Sequence, residues 1–249
     1  MRLAFALAAA AATAAIAVAG TGCQSTQAKS AELAKQGDTL LETKDLSITQ
    51  ASTDVKVLST TVLPGKDTST VAVELENESQ TGLINVPIQI DVQDAKGKTL
   101  FENNTAGTDP TLVSVPVMAP GAKVWWVHDQ VFAPQGTPAS VKVKVGAAPQ
   151  PYPEIPEVKV SPAKLEVDSI SGSDEASGTV ENESPEDLKA VYVYAVAMKG
   201  GKVVAAGRGA IDKLKADAKK PDDYHIFFTA GDPRGADIQV FATPTFLKE

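Results

Sequence analysis

Cysteine and histidine are scarce in this sequence, with one Cys and two His among 249 residues. A single Cys excludes an intrachain disulfide framework, and two His leave little material for a metal centre, which draws three or four ligands together. Basic charge is also short: 23 Lys and Arg stand against 31 Asp and Glu, giving a net charge of −8 and an isoelectric point near 4.9. Such a surface is a poor match for nucleic acid, whose phosphates are bound by Lys and Arg. What remains, 43 % hydrophobic and 22 % charged residues, fits neither a wholly disordered chain nor a polytopic membrane protein.

The chain starts with the basic pair Met1-Arg2, and Leu3 to Gly20 is an Ala-rich apolar run broken only by Thr13. This pattern predicts a secretory signal at residues 1–22. Gly20-Thr21-Gly22-Cys23 closes the run and resembles the lipobox of bacterial lipoproteins, in which small residues precede a Cys that is lipidated and becomes the new N-terminus. Gly20 departs from it, since lipoboxes usually carry Leu or another aliphatic residue there. Ala17-Val18-Ala19 offers an ordinary signal-peptidase site, which would leave Cys23 a free thiol in a secreted protein. The expectation is lipidation at Cys23 and display on the extracytoplasmic face of a bacterial membrane. Residues 23–45 are polar and read as a tether; Leu33, Leu40 and Leu41 have helical spacing, but Gly37 weakens a helix there.

Beyond Leu46, short alternating runs rich in Val, Ile and Thr are separated by Gly, Pro, Asn and Asp, the pattern of an all-β fold. The first half offers strands at Asp54 to Val62, Thr70 to Glu76, Leu83 to Asp94, Lys98 to Glu102, Thr111 to Val117, Ala122 to Phe132 and Ser140 to Gly146. The second half offers Val158 to Asp168, Ala176 to Glu181, Leu188 to Met198, Lys202 to Ala210, Tyr224 to Thr229 and Ile238 to Thr243. This predicts two tandem immunoglobulin-like β-sandwich domains, residues 46–147 and 158–249, joined by an extended Pro-rich linker over 148–157. The first core is expected to draw on Val55, Val57, Val71, Val73, Leu75, Ile88, Ile90, Val113, Val115, Val141 and Val143.

The halves also match in detail. Glu76-Asn77-Glu78-Ser79 recurs as Glu181-Asn182-Glu183-Ser184 at an offset of 105, Gly97-Lys98 as Gly201-Lys202 at 104, and Ala139-Ser140-Val141-Lys142-Val143 as Ala236-Asp237-Ile238-Gln239-Val240 at 97. Shrinking offsets are what duplication followed by loop deletion leaves. Asn77 and Asn182 are expected to hold turns by local hydrogen bonding, and Gly97 and Gly201 to sit in hairpins. The order Leu75-Glu76-Asn77-Glu78-Ser79, long apolar strand, Asp94-Ala95-Lys96-Gly97-Lys98, together with Val180-Glu181-Asn182-Glu183-Ser184, resembles the FxLYD-type domains of bacterial and archaeal envelope lipoproteins. The second copy departs from that pattern, with Met198-Lys199-Gly200-Gly201 in place of the Asp turn. The resemblance implies an extracytoplasmic Ig-like module without known chemistry.

Candidate chemistry is thin. His128 and His225 are the usual bases, neither near a Gly-x-Ser-x-Gly turn; an offset of 97 superposes them, and both read as half-exposed strand residues. Asp129, Asp222 and Asp223 beside them offer carboxylates, without the spacing of a metal site. The Asn-x-Ser/Thr triplets at Asn77, Asn103 and Asn182 fit the glycosylation pattern but not a bacterial lipoprotein. Asp168 to Glu175 lacks the spacing of a calcium loop and reads as a polar turn. Gly200-Gly201 and Gly207-Arg208-Gly209 read as turns. Trp125 and Trp126 are adjacent, so on a strand one anchors the core while the other is exposed or packed against the second domain. The expectation is a non-enzymatic, lipid-anchored envelope protein with no catalytic residue, metal or cofactor. Its partners would be the membrane and another envelope protein, for interaction or scaffolding; a small-ligand or metal carrier is the alternative.

Overall fold

The structure is a computed structural model that describes residues 47–245 apart from 106–107, 150, 153–154, 169, 171–172 and 217. Cys23, the signal segment and the tether lie outside the described residues. The chain is all-β, as its alternation predicts: β1 (Val55–Leu63), β2 (Ser69–Asn77), β3 (Gly82–Gln93), β4 (Thr99–Glu102), β5 (Ser114–Met118), β6 (Lys123–Val131), β7 (Ser140–Val145), β8 (Pro151–Tyr152), β9 (Val158–Val160), β10 (Lys164–Val167), β11 (Asp174–Asn182), β12 (Leu188–Lys199), β13 (Lys202–Leu214), β14 (Asp222–Phe227) and β15 (Asp237–Pro244). A single 3-10 turn, Pro110–Leu112, is the one helical element among the described residues.

All pairings are antiparallel. In the first half, sheet β1-β2-β6 packs on a sheet centred on β3, which pairs with β4, β5, β7 and β8. Between them lie Val71, Val73, Leu75, Ile88, Ile90 and Trp126, all fully buried. Val113 is only half-buried, because the 3-10 turn precedes it and strand pairing starts at Ser114. In the second half, β9 and β10 flank β11, which pairs with β14, and this sheet packs on β13-β12-β15 around Val180, Val191, Val193, Tyr224 and Ile226. β8 falls inside the segment read as a linker: its two residues pair with Gly82 and Leu83 and so add a short strand to the β3 sheet.

Equivalent devices recur 105 residues apart. Asn77 Nδ2 donates to Thr81 O at 2.8 Å while its Oδ1 accepts from the Ser79 amide and hydroxyl; Asn182 Nδ2 donates to Glu186 O at 2.7 Å and its Oδ1 accepts from Ser184 in the same way. Both side chains are buried, so these bonds satisfy groups that water cannot reach. Asn85 and Ala190, again 105 apart, are the non-glycine residues with positive φ among the described residues, at 50° and 49°. Gly97 and Gly201 close hairpins at φ of 82° and 75°. One edge of the central strand differs: β12 pairs with β13 along almost its whole length, whereas β3 pairs there with β5 and then β4. Asn103 fills the gap, accepting from Ile90 N at 2.8 Å and donating to Ile88 O at 2.9 Å and Leu112 O at 2.7 Å.

Candidate functional site

β12 reads as a nearly continuous apolar run because both of its faces are covered. Val191, Val193, Ala195 and Ala197 face the second core, while Tyr194 and Val196 point the other way. There they meet Val203, Ala206 and Ala230, and across the seam Leu63, Ala72, Trp125 and Val127 from the outer face of β1-β2-β6. The adjacent tryptophans therefore divide as alternation requires: Trp126 fills the first core, donating Nε1–H to Thr111 O at 2.9 Å, and Trp125 fills the seam. Neither is a surface anchor.

A buried ion network fixes the same seam. Arg208, with its side chain 8 % exposed, donates from Nε to Asp129 Oδ1 at 3.0 Å, from Nη1 to Thr111 Oγ1 at 2.8 Å and from Nη2 to Asp109 Oδ2 at 3.4 Å. Its guanidinium lies 5.5 Å from the Tyr192 ring centroid. Burial pushes the Asp129 carboxyl up despite Arg208. Burial acts the same way on Asp109, but its hydrogen bonds from Thr111 and the charge of Arg208 outweigh it and hold that carboxyl below its usual value. Gly207-Arg208-Gly209 is thus the middle of β13 and not a turn. The glycines let β14 approach, since a Cβ on Gly207 would stand 2.5 Å from Phe227 O and one on Gly209 2.8 Å from His225 O.

The histidines separate. Val71 faces His128 across β2 and β6, and Ala176, 105 residues on from Val71, faces Ile226, so His128 corresponds to Ile226 and His225 to Val127. A slip of one residue reverses the face of a strand. His128 points inward, 1 % exposed, edge-on to Phe101 and Trp126. Burial, aided by the Arg208 charge, lowers its pKa to about 3. His225 points outward with a 60 % exposed side chain and bonds through Nδ1 to Glu175. Neither is the half-exposed residue expected. Among the described residues, no three His, Cys, Asp or Glu side chains are grouped to hold a metal ion.

An apolar groove of about 380 Å³ lies where both halves meet. β5 and β6 wall it from one side with Val115, Val124 and Trp125, and β9 and β15 from the other, with Tyr194 of β12 behind them. The Tyr194 and Thr243 hydroxyls are buried there without a hydrogen-bond partner among the described residues. Of the candidate functional residues singled out in the sequence, the groove gathers Trp125 alone; Val115, expected in the first core, also lines it. Tyr194 and Thr243 carried no motif, and Arg208 stood in a Gly-Arg-Gly run read as a turn, because a seam between distant strands has no local spacing. No family model matches the chain, and no curated protein matches it either.

Proposed function

We propose that this is a lipid-anchored, non-catalytic cell-envelope protein. Residues 1–22 are a signal peptide, Cys23 carries the lipid and residues 23–45 are a tether. Two immunoglobulin-like β-sandwiches, 46–147 and 158–249, mediate interaction with another envelope protein or act as its scaffold. The observation that carries the reading is the apolar groove bordered by strands of both halves, beside a seam that the buried Arg208–Asp129 pair ties across. A concave apolar surface on a rigid support is the usual form of a recognition site. Gly20-Thr21-Gly22-Cys23 and the resemblance to FxLYD-type envelope modules support the location. Stable anchoring needs more than one acyl chain, which a lipoprotein Cys supplies.

The test joins location to interaction. Mass spectrometry of the mature protein is expected to find Cys23 as a lipidated N-terminus, and short-range crosslinking on membranes to give a discrete adduct with another protein. Cys23→Ala should move the protein to the soluble fraction. A mature N-terminus at Gly20 with an unmodified thiol rejects the anchor, and membranes that yield no adduct reject the interaction. A second reading, carriage of a small ligand that bears a hydrogen-bonding group, is favoured by the unpartnered Tyr194 and Thr243 hydroxyls at the groove; it requires an extractable small molecule in protein purified from its host.

A further inference from the structure

Val240, Phe241, Ala242, Thr243 and Pro244 all border the groove. Strand side chains alternate between faces, so five consecutive contacts mean that the groove runs along the edge of β15, over about 13 Å. β15 pairs with β12 and with no other strand among the described residues. The Thr245 amide donates to Ala190 O at 3.1 Å. Antiparallel pairs alternate between hydrogen-bonded and non-hydrogen-bonded, so the register from Val191↔Pro244 to Met198↔Asp237 turns the N–H and C=O groups of Ile238, Val240 and Ala242 away from β12. Pro244 falls in the same outward phase, where its missing N–H costs the ladder nothing. No hydrogen bond to the outward groups is found among the described residues.

Two further features specify the occupant. Trp125, Tyr194 and Phe241 belong both to the groove and to the seam between the halves, so an occupant continues an interface the fold already makes. The walls on either side of the β15 edge, Val158 and Val160 on one and Trp125 on the other, are apolar. A hydrocarbon would cover these walls and leave the edge amides and carbonyls unpaired. An extended peptide covers them and pairs the edge, since its backbone groups recur with the spacing of β15.

We infer that the groove is a strand-addition site: an extended, apolar segment of a partner protein pairs with the open edge of β15. This rests on the interaction reading above and names the partner's class. The probe is a displayed library of random nine-residue peptides, selected on the whole protein. Selected peptides are expected to be rich in Val, Ile and aromatic residues and to change Trp emission, since Trp125 lines the groove. Ala242→Pro removes one outward N–H and leaves the β12 ladder intact, and is expected to weaken binding at least tenfold. N-methylation at alternate peptide amides should do the same on the unaltered protein, which keeps the test independent of how that variant folds. Peptides indifferent to both changes would overturn the inference while the interaction reading stands. A selection that yields no peptide would also overturn it, and the membrane crosslinking separately decides the broader reading.

Discussion

Arg208 and Asp129, 79 residues apart in sequence, meet Nε to Oδ1 at 3.0 Å across the seam, with side chains only 8 % and 15 % exposed. The pair ties the middle of β13 to β6. Removing one partner of a buried pair costs about 3–5 kcal/mol, because the other charge stays buried and unpaired. Arg208→Met is therefore expected to destabilise by roughly 3 kcal/mol. Asp129→Asn keeps an acceptor for Nε–H and removes a carboxylate that burial already disfavours, so its cost should be smaller, about 1 kcal/mol. Denaturant unfolding of both variants and of the double variant checks this. Additive costs would show that the two side chains do not act as a pair.

His128 gives stability a pH dependence of known sign. Its folded pKa is lowered to about 3, against 6.5 for the free side chain. The neutral ring fits the core, so its contribution is complete above pH 6.5 and is lost as pH falls toward 3, because the unfolded chain takes up a proton that the folded chain refuses. Between pH 7 and pH 5 the loss should approach about 2 kcal/mol. His128→Leu, matching the Ile226 of the second half, should remove that part of the slope. Equal slopes in both proteins, measured by chemical unfolding across this range, would contradict the buried neutral ring.

Most of the strand plan was legible because each element has its own local pattern, as Leu188 to Met198 shows for β12; the strand expected at Val158 to Asp168 is broken into β9 and β10 at Ser161-Pro162-Ala163, and β14 runs two residues earlier than Tyr224 to Thr229. The buried Asn turns were legible for the same reason, since the Asn77 turn closes locally, through Ser79 and Thr81. What escaped depends on other strands. The offset of 97 holds for β7 and β15, where Val145 faces Ile88 and Ala242 faces Val193, but β6 and β14 align at 98, and that one residue carried His128 into a core and left His225 outside. Arg208 between two glycines has the composition of a turn, yet the glycines serve a close approach to β14 that only the sheet packing creates. The alternation of Trp125 and Trp126 implies one outward ring, and nothing local says that Tyr194 and Val196 cover it.

Ala190 is held at a φ of 49° where Asn85, its counterpart, is a residue that tolerates this conformation. A Cβ in the left-handed region costs about 1–2 kcal/mol. Ala190→Gly removes that cost but widens the unfolded ensemble, leaving an expected net gain of about 0.5–1 kcal/mol. Ala190→Asn should gain a smaller amount by copying the first half. Thermal unfolding measures both, and a lower midpoint for the Gly variant would mean that Ala190 is not strained.

The halves share a seam without sharing a core, and this makes the behaviour of a fragment predictable. Residues 46–147 hold Val71, Val73, Leu75, Ile88, Ile90 and Trp126, a cluster distinct from the seam group of Leu63, Ala72, Trp125 and Val127. Cutting the chain after Ala147 takes only Ala148 and the short β8 pairing from the first cluster, but it bares four seam residues and leaves Asp129 without Arg208. An independent core predicts a cooperative unfolding transition. The bared face predicts a lower midpoint than in the whole protein and self-association at high concentration. Trp125→Lys in the fragment should suppress the association and keep the transition, because that side chain points away from the first core. The same change in the whole protein buries a charge in the seam and should destabilise it. A fragment with no cooperative transition, with or without Trp125→Lys, would mean that the first half folds only against the second.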